Sequence, residues 1–535
     1  MTESSESTAS ASHVPPLHPS PPLPLHQRHW LIGGTLRRWD GPVRDVVSPV
    51  LTCGQPTLLG SFPLLGEAEA AAALQSATAA WGKGRGEWPT MTVAARIACV
   101  ERFLGAMIGV RQAVIDLMAW EIGKSGPDCG KEFDRTVAYV RDTLTALKEL
   151  DRASARFQQV EGIVAQVRRA PLGVTLCMGP YNYPLNETFT TLIPALVMGN
   201  PVIVKPARHG VLLLEPLLAP FAEAFPAGVV NTVYGEGKTV VSPLIAAGGI
   251  DVLAFIGTSR AADAIRRQHP KPHRLRCVLG LEAKNIAIVT PSADLDAAIS
   301  ECLAGSLTFN GQRCTALKLL AVARPLYDTF VKRFSAAVDG LVAGNPWTPG
   351  VGVTPLPEPE APERMEALVA DAVAKGARVM NSRAGRLDAT TYFPAVVAPV
   401  THLMRLWHEE QFGPVVPIAV YDDIEEPLRW VCDADHGQQA SIFSRDPAEV
   451  AILVDGLANQ VCRINLNSQC QRGPDVFPFT GRKDSAEGTL SVSDALRAFS
   501  IRSMAAAKDT PANRAILGDI VLSHRSSFLS TDWLF

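Results

Sequence analysis

No Cys-x-x-Cys pair occurs among the ten cysteines, and no Cys/His run has zinc-like spacing. A structural zinc site or a dithiol redox centre therefore has no support, and no metal is expected. The chain also lacks a basic surplus: 50 Lys and Arg face 53 Asp and Glu, for a formal net charge of -3. That excludes the electrostatic footprint of a nucleic-acid binder. It leaves room for a local arginine cluster facing a small anion. No apolar run is long enough to span a bilayer, so no membrane is expected; residues 195–198 are closed off by Pro194 and Gly199. The first residues lack the basic and apolar segments of a secretory leader, so the thiols are expected to be reduced, in the cytoplasm. A complete dinucleotide glycine fingerprint is absent, and no short-period repeat is visible.

The 535 residues, 47% hydrophobic and 19% charged, predict a globular chain of two to four domains at roughly 100–200 residues each. Residues 1–27, rich in Ser, Pro and His, read as a disordered or polyproline-like arm. Order is expected to begin at Trp30-Leu31-Ile32-Gly33-Gly34, where apolar residues meet a Gly-Gly turn, as in a hairpin. Residues 67–150 are helical in texture, with Ala95, Cys99, Phe103 and Met107 at helical spacing. Short apolar runs then begin at Ile163, Val174, Val202 and Val252, the later ones closed by Gly, Pro or Asn and followed by helical stretches. This alternation predicts an α/β fold with a parallel, doubly wound sheet, whose ligands bind at the carboxyl ends of the strands. A second alternation, from Ile286 to about Ile464, predicts a second α/β domain.

Five loops carry residues suited to chemistry. In Asn310-Gly311-Gln312-Arg313-Cys314-Thr315, one thiol sits in a polar loop beside an arginine, which favours the reactive thiolate. The other nine cysteines read as structural. In Gly179-Pro180-Tyr181-Asn182-Tyr183-Pro184, the Asn182 amide can serve a developing oxyanion. Lys205 and Arg208 follow another strand and suit a phosphate. Gly257-Thr258-Ser259 opens a helix and suits a pyrophosphate, with Gly235-Glu236-Gly237 as a lesser candidate. In Glu409-Glu410-Gln411-Phe412-Gly413-Pro414, a carboxylate can bond ribose hydroxyls while the ring packs on a nicotinamide.

In this order and spacing, from about residue 30 to 503, the loops resemble the aldehyde dehydrogenase superfamily. Within it they resemble the non-phosphorylating, NADP-dependent glyceraldehyde-3-phosphate dehydrogenases. The stretches that carry the likeness are Gly179-Pro180-Tyr181-Asn182-Tyr183-Pro184, residues 306–318 around Cys314, and Gln471-Arg472-Gly473-Pro474-Asp475-Val476-Phe477-Pro478-Phe479. The resemblance implies that Cys314 is the nucleophile and that Asn182, with the Cys314 backbone N–H, forms the oxyanion hole. It implies an NADP site made by Lys205, Arg208, Gly237, Gly257, Thr258, Glu410 and Phe412, with Arg208 selecting the 2′-phosphate. It assigns the substrate phosphate to Arg135, Tyr183, Arg313 and Arg472, with Thr315 beside them. The implied reaction turns glyceraldehyde 3-phosphate into 3-phosphoglycerate through a thioester.

The resemblance also implies an organisation. Residues 28–154 and 173–282 would bind the cofactor, and 283–485 would form the catalytic domain. Residues 155–172 and 486–505 would form a β projection for a homodimer or homotetramer; the extension 506–535 has no counterpart in the family, and its apolar end, Trp533-Leu534-Phe535, is expected to pack on a neighbouring subunit. One departure bears on the chemistry. The family pattern Glu-Leu-Gly-Gly-Lys, which supplies the general base, reads Gly280-Leu281-Glu282-Ala283-Lys284 here. Either Glu282 takes over as base, as the arginine set and the stretch 471–479 favour, or no base exists. In the second case the acyl group passes to coenzyme A, or the chain is a silent NADP-binding relative.

Overall fold

The structure, a computed structural model, describes residues 21–532. Five parallel strands, Thr175–Met178, Val202–Val204, Val230–Thr232, Val252–Ile256 and Arg276–Gly280, form one sheet, closed at one edge by the antiparallel Ala486–Glu487. The strand beginning at Thr175 lies inside the sheet. The chain winds outward from it through the strands at Val202 and Val230, then crosses back to pair Val252 with Thr175. The winding direction therefore reverses between Thr175–Met178 and Val252–Ile256, the place where such sheets receive ligands. Val202-Ile203-Val204 is buried throughout, as expected for a strand covered on both faces. One cover is the helix Asn186–Val197, which has no exposed residue. The helix Val93–Gly109 buries Cys99, Phe103 and Met107 as its spacing predicts, and Phe103 stacks on Phe221 with ring centroids 4.1 Å apart.

A second, seven-stranded sheet contains Asn285–Val289 and Leu317–Ala323 at its centre, flanked by Gln439–Phe443 and Val415–Tyr421. Cys314 lies just before the strand Leu317–Ala323, and Glu410 and Phe412 lie just before Val415–Tyr421. These loops sit at the amino ends of their strands and meet loops from the carboxyl ends of the first sheet.

Two boundaries differ from expectation. The Gly33-Gly34 hairpin is present, with φ of 58° and 77°, the left-handed pair that a two-residue turn requires. Order nevertheless begins earlier, because Leu25–His26 pairs with Gly60 and Ser61. A Cβ on Gly60 would lie 1.9 Å from the Leu25 carbonyl oxygen, so that close approach depends on glycine. Residues 1–20 of the expected arm lie outside the described residues. The projection is a three-stranded sheet of Phe157–Val160, Ile163–Pro171 and Ser500–Lys508. Residues 486–499 do not join it. Ala486–Glu487 edges the first sheet, and the helix Val492–Ala498 packs on the helices Gly126–Ser154 and Asn186–Val197.

The extension forms a helix, Pro511–Leu522, and then folds back onto its own projection. Gln166 Nε2 donates to Ser530 O at 2.6 Å, and Arg168 Nη1 donates to Phe528 O at 3.3 Å. The expected packing of the last three residues on a neighbour lies outside the described residues. Among those described, no helix is long and apolar enough to cross a membrane.

Candidate active site

The strand Thr175–Met178 runs into Gly179, where a Cβ would lie 1.9 Å from Thr188 Oγ1. Only glycine lets the loop turn this close to the following helix. A buried ion pair holds the loop. Lys124 Nζ meets Glu132 Oε2 at 2.5 Å with neither side chain exposed. Glu132 Oε1 accepts the N–H groups of Leu185 and Asn186, both at 3.0 Å. Lys124 also donates to Asn182 O at 3.2 Å and lies 3.3 Å from the Tyr183 ring centre. From this platform Asn182 Nδ2 donates to Gln312 O at 2.7 Å, joining the loop to the one that carries Cys314.

The Cys314 loop is strained. Phe309, Asn310 and Gly311 have φ of 51°, 54° and 71°, a region that costs roughly 1–2 kcal/mol for each non-glycine residue. Asn310 anchors it by donating to Thr354 O at 2.9 Å and accepting from Thr354 N at 3.0 Å. Past the strain, the Cys314 carbonyl accepts from Asn285 Nδ2 at 2.8 Å and Lys318 Nζ at 3.1 Å. Burial pushes the Cys314 thiol up to about 11, and the charge of Glu187 adds to the rise. Lys318 and Arg472 pull it down only in part. The expectation that Arg313 favours the thiolate is not met. Its Nη2 donates to Ala304 O and Gly305 O, at 3.1 and 2.8 Å, near the end of the helix Leu295–Leu307. A guanidinium is at home on unsatisfied carbonyls at the negative end of a helix.

Of the four residues assigned to a substrate anion, Arg135 and Arg472 are brought together. Arg135 bonds Asp475 through Nε at 2.8 Å and Nη2 at 2.7 Å. Arg472 donates Nε to Asp475 at 3.2 Å, Nη2 to Leu490 O at 3.1 Å, and Nη1 to Glu187. Tyr183 sits against Lys124 and Phe309. Arg313 is turned onto the helix end, and Thr315 is buried beside Cys314. Glu187 was not anticipated from the sequence. The signal was there: it is an acid in the first turn of an otherwise apolar and Thr-rich buried helix, five residues after Asn182.

The residues assigned to the cofactor all sit on loops at the carboxyl ends of the first sheet or facing them. Lys205 is largely buried and its amine has one partner, Pro206 O at 3.2 Å; burial lowers its pKa. Arg208 is exposed, with no ion pair among the described residues. Gly237 opens a helical turn, Gly237–Val241. Gly257 donates to Gly280 O at 3.0 Å and lies under the Phe255 ring, where a Cβ would come within 2.3 Å. Thr258 caps the helix Ser259–Arg266, accepting from Ala261 N at 3.2 Å. Phe412, at φ 39°, packs edge-to-face with Tyr181, ring centroids 5.9 Å apart. Glu410 Oε1 accepts from Ala283 N at 3.2 Å and from Lys318 Nζ. Beside it, Lys284 donates to Glu409 O and Gln411 Oε1, and burial lowers its amine to about 7.

Glu282 stands in this cofactor group rather than in contact with Cys314. Its Oε2 accepts from Ser259 N at 2.9 Å and Ser259 Oγ at 2.7 Å. The positive end of the helix and a hydroxyl hold it there, so the expected shift of the base to Glu282 is not the conformation observed. Arg208, without an ion pair among the described residues, and a Lys205 amine bonded to one carbonyl nevertheless fit the phosphate and ribose groups of a dinucleotide.

The loop-bearing end of a doubly wound sheet thus faces a loop-borne cysteine, which defines an α/β fold with a thiol beside a ligand crevice. The chain belongs to the aldehyde dehydrogenase family, whose model matches residues 43–504. It is 35% identical over 350 residues to an NADP-dependent glyceraldehyde-3-phosphate dehydrogenase of Streptococcus equinus, covering 65% of this chain and 70% of that one. The enzyme of the same name from Apium graveolens is 31% identical over 61% of this chain, and the match spans 64% of its length. Aldehyde dehydrogenase 1A1 of Mus musculus is 29% identical over 89% of this chain and 95% of its own. Among solved structures, the NADP-dependent glyceraldehyde-3-phosphate dehydrogenase of Bacillus halodurans, complexed with NADP, superposes with a TM-score of 0.83 at 27% identity, over 91% of this chain and all of that one.

Proposed function

We propose that the protein oxidises D-glyceraldehyde 3-phosphate to 3-phosphoglycerate with NADP⁺, through a thioester on Cys314 and without inorganic phosphate. The observation that carries this reading is the pairing of Arg135 and Arg472 in one network, with Arg472 close enough to act on the Cys314 thiol. Two guanidiniums converging on one dianion give charge-assisted, oriented binding.

The thiolate of Cys314 attacks the aldehyde carbon. Asn182 keeps one amide N–H on Gln312 O and has a second to give to the oxyanion, together with the Cys314 backbone N–H. Lys205, Arg208, Gly237, Gly257, Thr258, Glu410 and Phe412 would hold NADP⁺, with Arg208 on the 2′-phosphate. Bound there, the cofactor supplies the hydride acceptor. Glu410 keeps Ala283 and Lys318 on Oε1 and would accept a ribose hydroxyl on Oε2. Water releases the acid from Cys314, and Glu282 serves as base once it leaves Ser259. The reading includes a cytoplasmic homodimer or homotetramer built on the projection, whose edge strand Ser500–Lys508 exposes Ile501 and Met504.

A second reading has its own support. Gly280 offers no carboxylate and Glu282 is held by Ser259, which favours transfer of the acyl group to a thiol such as coenzyme A. Incubation with substrate and NADP⁺, with and without coenzyme A, decides between them. Free 3-phosphoglycerate in both reactions supports hydrolysis. An acyl-CoA product, with turnover only when coenzyme A is present, supports transfer.

A further inference from the structure

The Arg135–Asp475–Arg472–Glu187 network closes on itself. Every nitrogen group of the Arg472 guanidinium has a partner, and its side chain is only 3% exposed. Arg135 is 30% exposed, and its Nη1 has no partner among the described residues. Two guanidiniums are balanced by two carboxylates, so an arriving anion meets no net positive charge. It can reach Arg135 at once, but it reaches Arg472 only by displacing one of its partners, and Glu187 is the one on the Cys314 side.

We propose that Glu187 is a specificity-determining residue, a counter-ion on Arg472 that admits phosphorylated aldehydes and rejects aldehydes carrying a carboxylate. The inference rests on the reading that Arg135 and Arg472 receive the substrate anion. A substrate carboxylate that replaces Glu187 on Arg472 exchanges one carboxylate contact for another. It leaves Glu187, whose side chain is 9% exposed, as a buried charge without a partner, a costly state. A phosphate dianion carries twice the charge and enough oxygens to engage Arg135 Nη1 and Arg472 together, which offsets the loss. An uncharged aldehyde leaves the ion pair in place and gains nothing from it. Glu187 thus acts by charge number, not by size.

The test compares kcat/KM for glyceraldehyde 3-phosphate, succinic semialdehyde and unphosphorylated glyceraldehyde in the wild type, Glu187→Gln and Arg472→Gln. Glu187→Gln keeps the shape of the side chain and an oxygen for Arg472. The expected result is a rise of at least about tenfold for succinic semialdehyde relative to unphosphorylated glyceraldehyde, roughly 1.4 kcal/mol, carried by KM; the glyceraldehyde rate reads any general change in Cys314 ionisation, which all three substrates share. A ratio of phosphorylated to carboxylated substrate equal to that of the wild type overturns the inference. If Arg472→Gln lowers kcat/KM for glyceraldehyde 3-phosphate while Glu187→Gln leaves that ratio unmoved, the anion site stands and the filter alone falls. If Arg472→Gln changes nothing, the anion site falls and the filter falls with it. A second readout needs no turnover. Glycerol 3-phosphate should protect Cys314 from iodoacetamide in the wild type while succinate should not, and both should protect in Glu187→Gln. Protection by succinate in the wild type contradicts the filter.

Discussion

Alkylating the free protein with iodoacetamide over a range of pH reads the ionisation of Cys314. Burial disfavours the thiolate and raises the pKa to about 11, the nearby Glu187 charge raises it further, and Lys318 and Arg472 oppose the rise incompletely. The thiolate is the reacting form. At pH 8 a thiol with a pKa of about 11 is ionised to about one part in a thousand, against about a quarter for an ordinary thiol near 8.5. The sign follows: alkylation of Cys314 should be slow at neutral pH and climb about tenfold per pH unit from 7 to 10 without a plateau. Cys53 and Cys432 are exposed and will react earlier, so the modified peptides must be resolved by mass spectrometry. Glu187→Gln removes the charge that raises the pKa most and should shift the profile to lower pH, while Arg472→Gln should shift it higher. A plateau below pH 9 in the wild type would refute the argument. It would show that the cations beside Cys314 outweigh its burial in the free protein.

Three further substitutions test other parts of the account. In Gly280→Glu the nearest neighbours of the new Cβ are the side chains of Ile256 and Leu490, at 3.3 and 3.4 Å. The variant should fold and release acid faster, toward the hundredfold that a placed base can supply, with a smaller NADPH burst; an unchanged steady-state rate contradicts the base role of that position. Arg208→Gln should lower kcat/KM for NADP⁺ by about tenfold or more by removing a charged phosphate contact and leave that for NAD⁺ within about twofold; equal effects on both cofactors contradict the 2′-phosphate assignment. Lys124→Met leaves Glu132 buried and unpaired and should destabilise the protein by about 3–5 kcal/mol, seen as a lower Tm; an unchanged Tm contradicts the role given to the ion pair beneath the Asn182 loop.

The strand–loop–helix alternation was legible where a strand is a short apolar run with a loop at its carboxyl end, as Val202-Ile203-Val204 is before Lys205; the strands Val230–Thr232 and Arg276–Gly280 and the order of the sheet were not. The Gly33-Gly34 turn and the helical face through Cys99, Phe103 and Met107 were legible for the same reason: local periodicity decides them. What escaped depends on contacts between distant parts of the chain. Leu25 is ordered because Gly60 lets it approach, and nothing near Leu25 says so. Residues 486–487 edge the first sheet by pairing with Leu279 and Gly280, a partner about 200 residues away. At the site, the loops of Cys314 and Asn182, both singled out in the sequence, meet through Gln312 O. The direction of long charged side chains was not legible. Arg313 follows the carbonyls at a helix end, Glu282 follows the N–H at a helix start, and Glu187 finds Arg472 across 285 residues.

The central claim, that Cys314 carries the acyl group of a phosphorylated aldehyde, is tested most directly by a stoichiometric assay with D-glyceraldehyde 3-phosphate and NADP⁺ in the absence of inorganic phosphate. The account predicts one NADPH and one 3-phosphoglycerate per substrate consumed, and no product from Cys314→Ala. Oxidation of unphosphorylated glyceraldehyde alone, or full activity in Cys314→Ala, would contradict it.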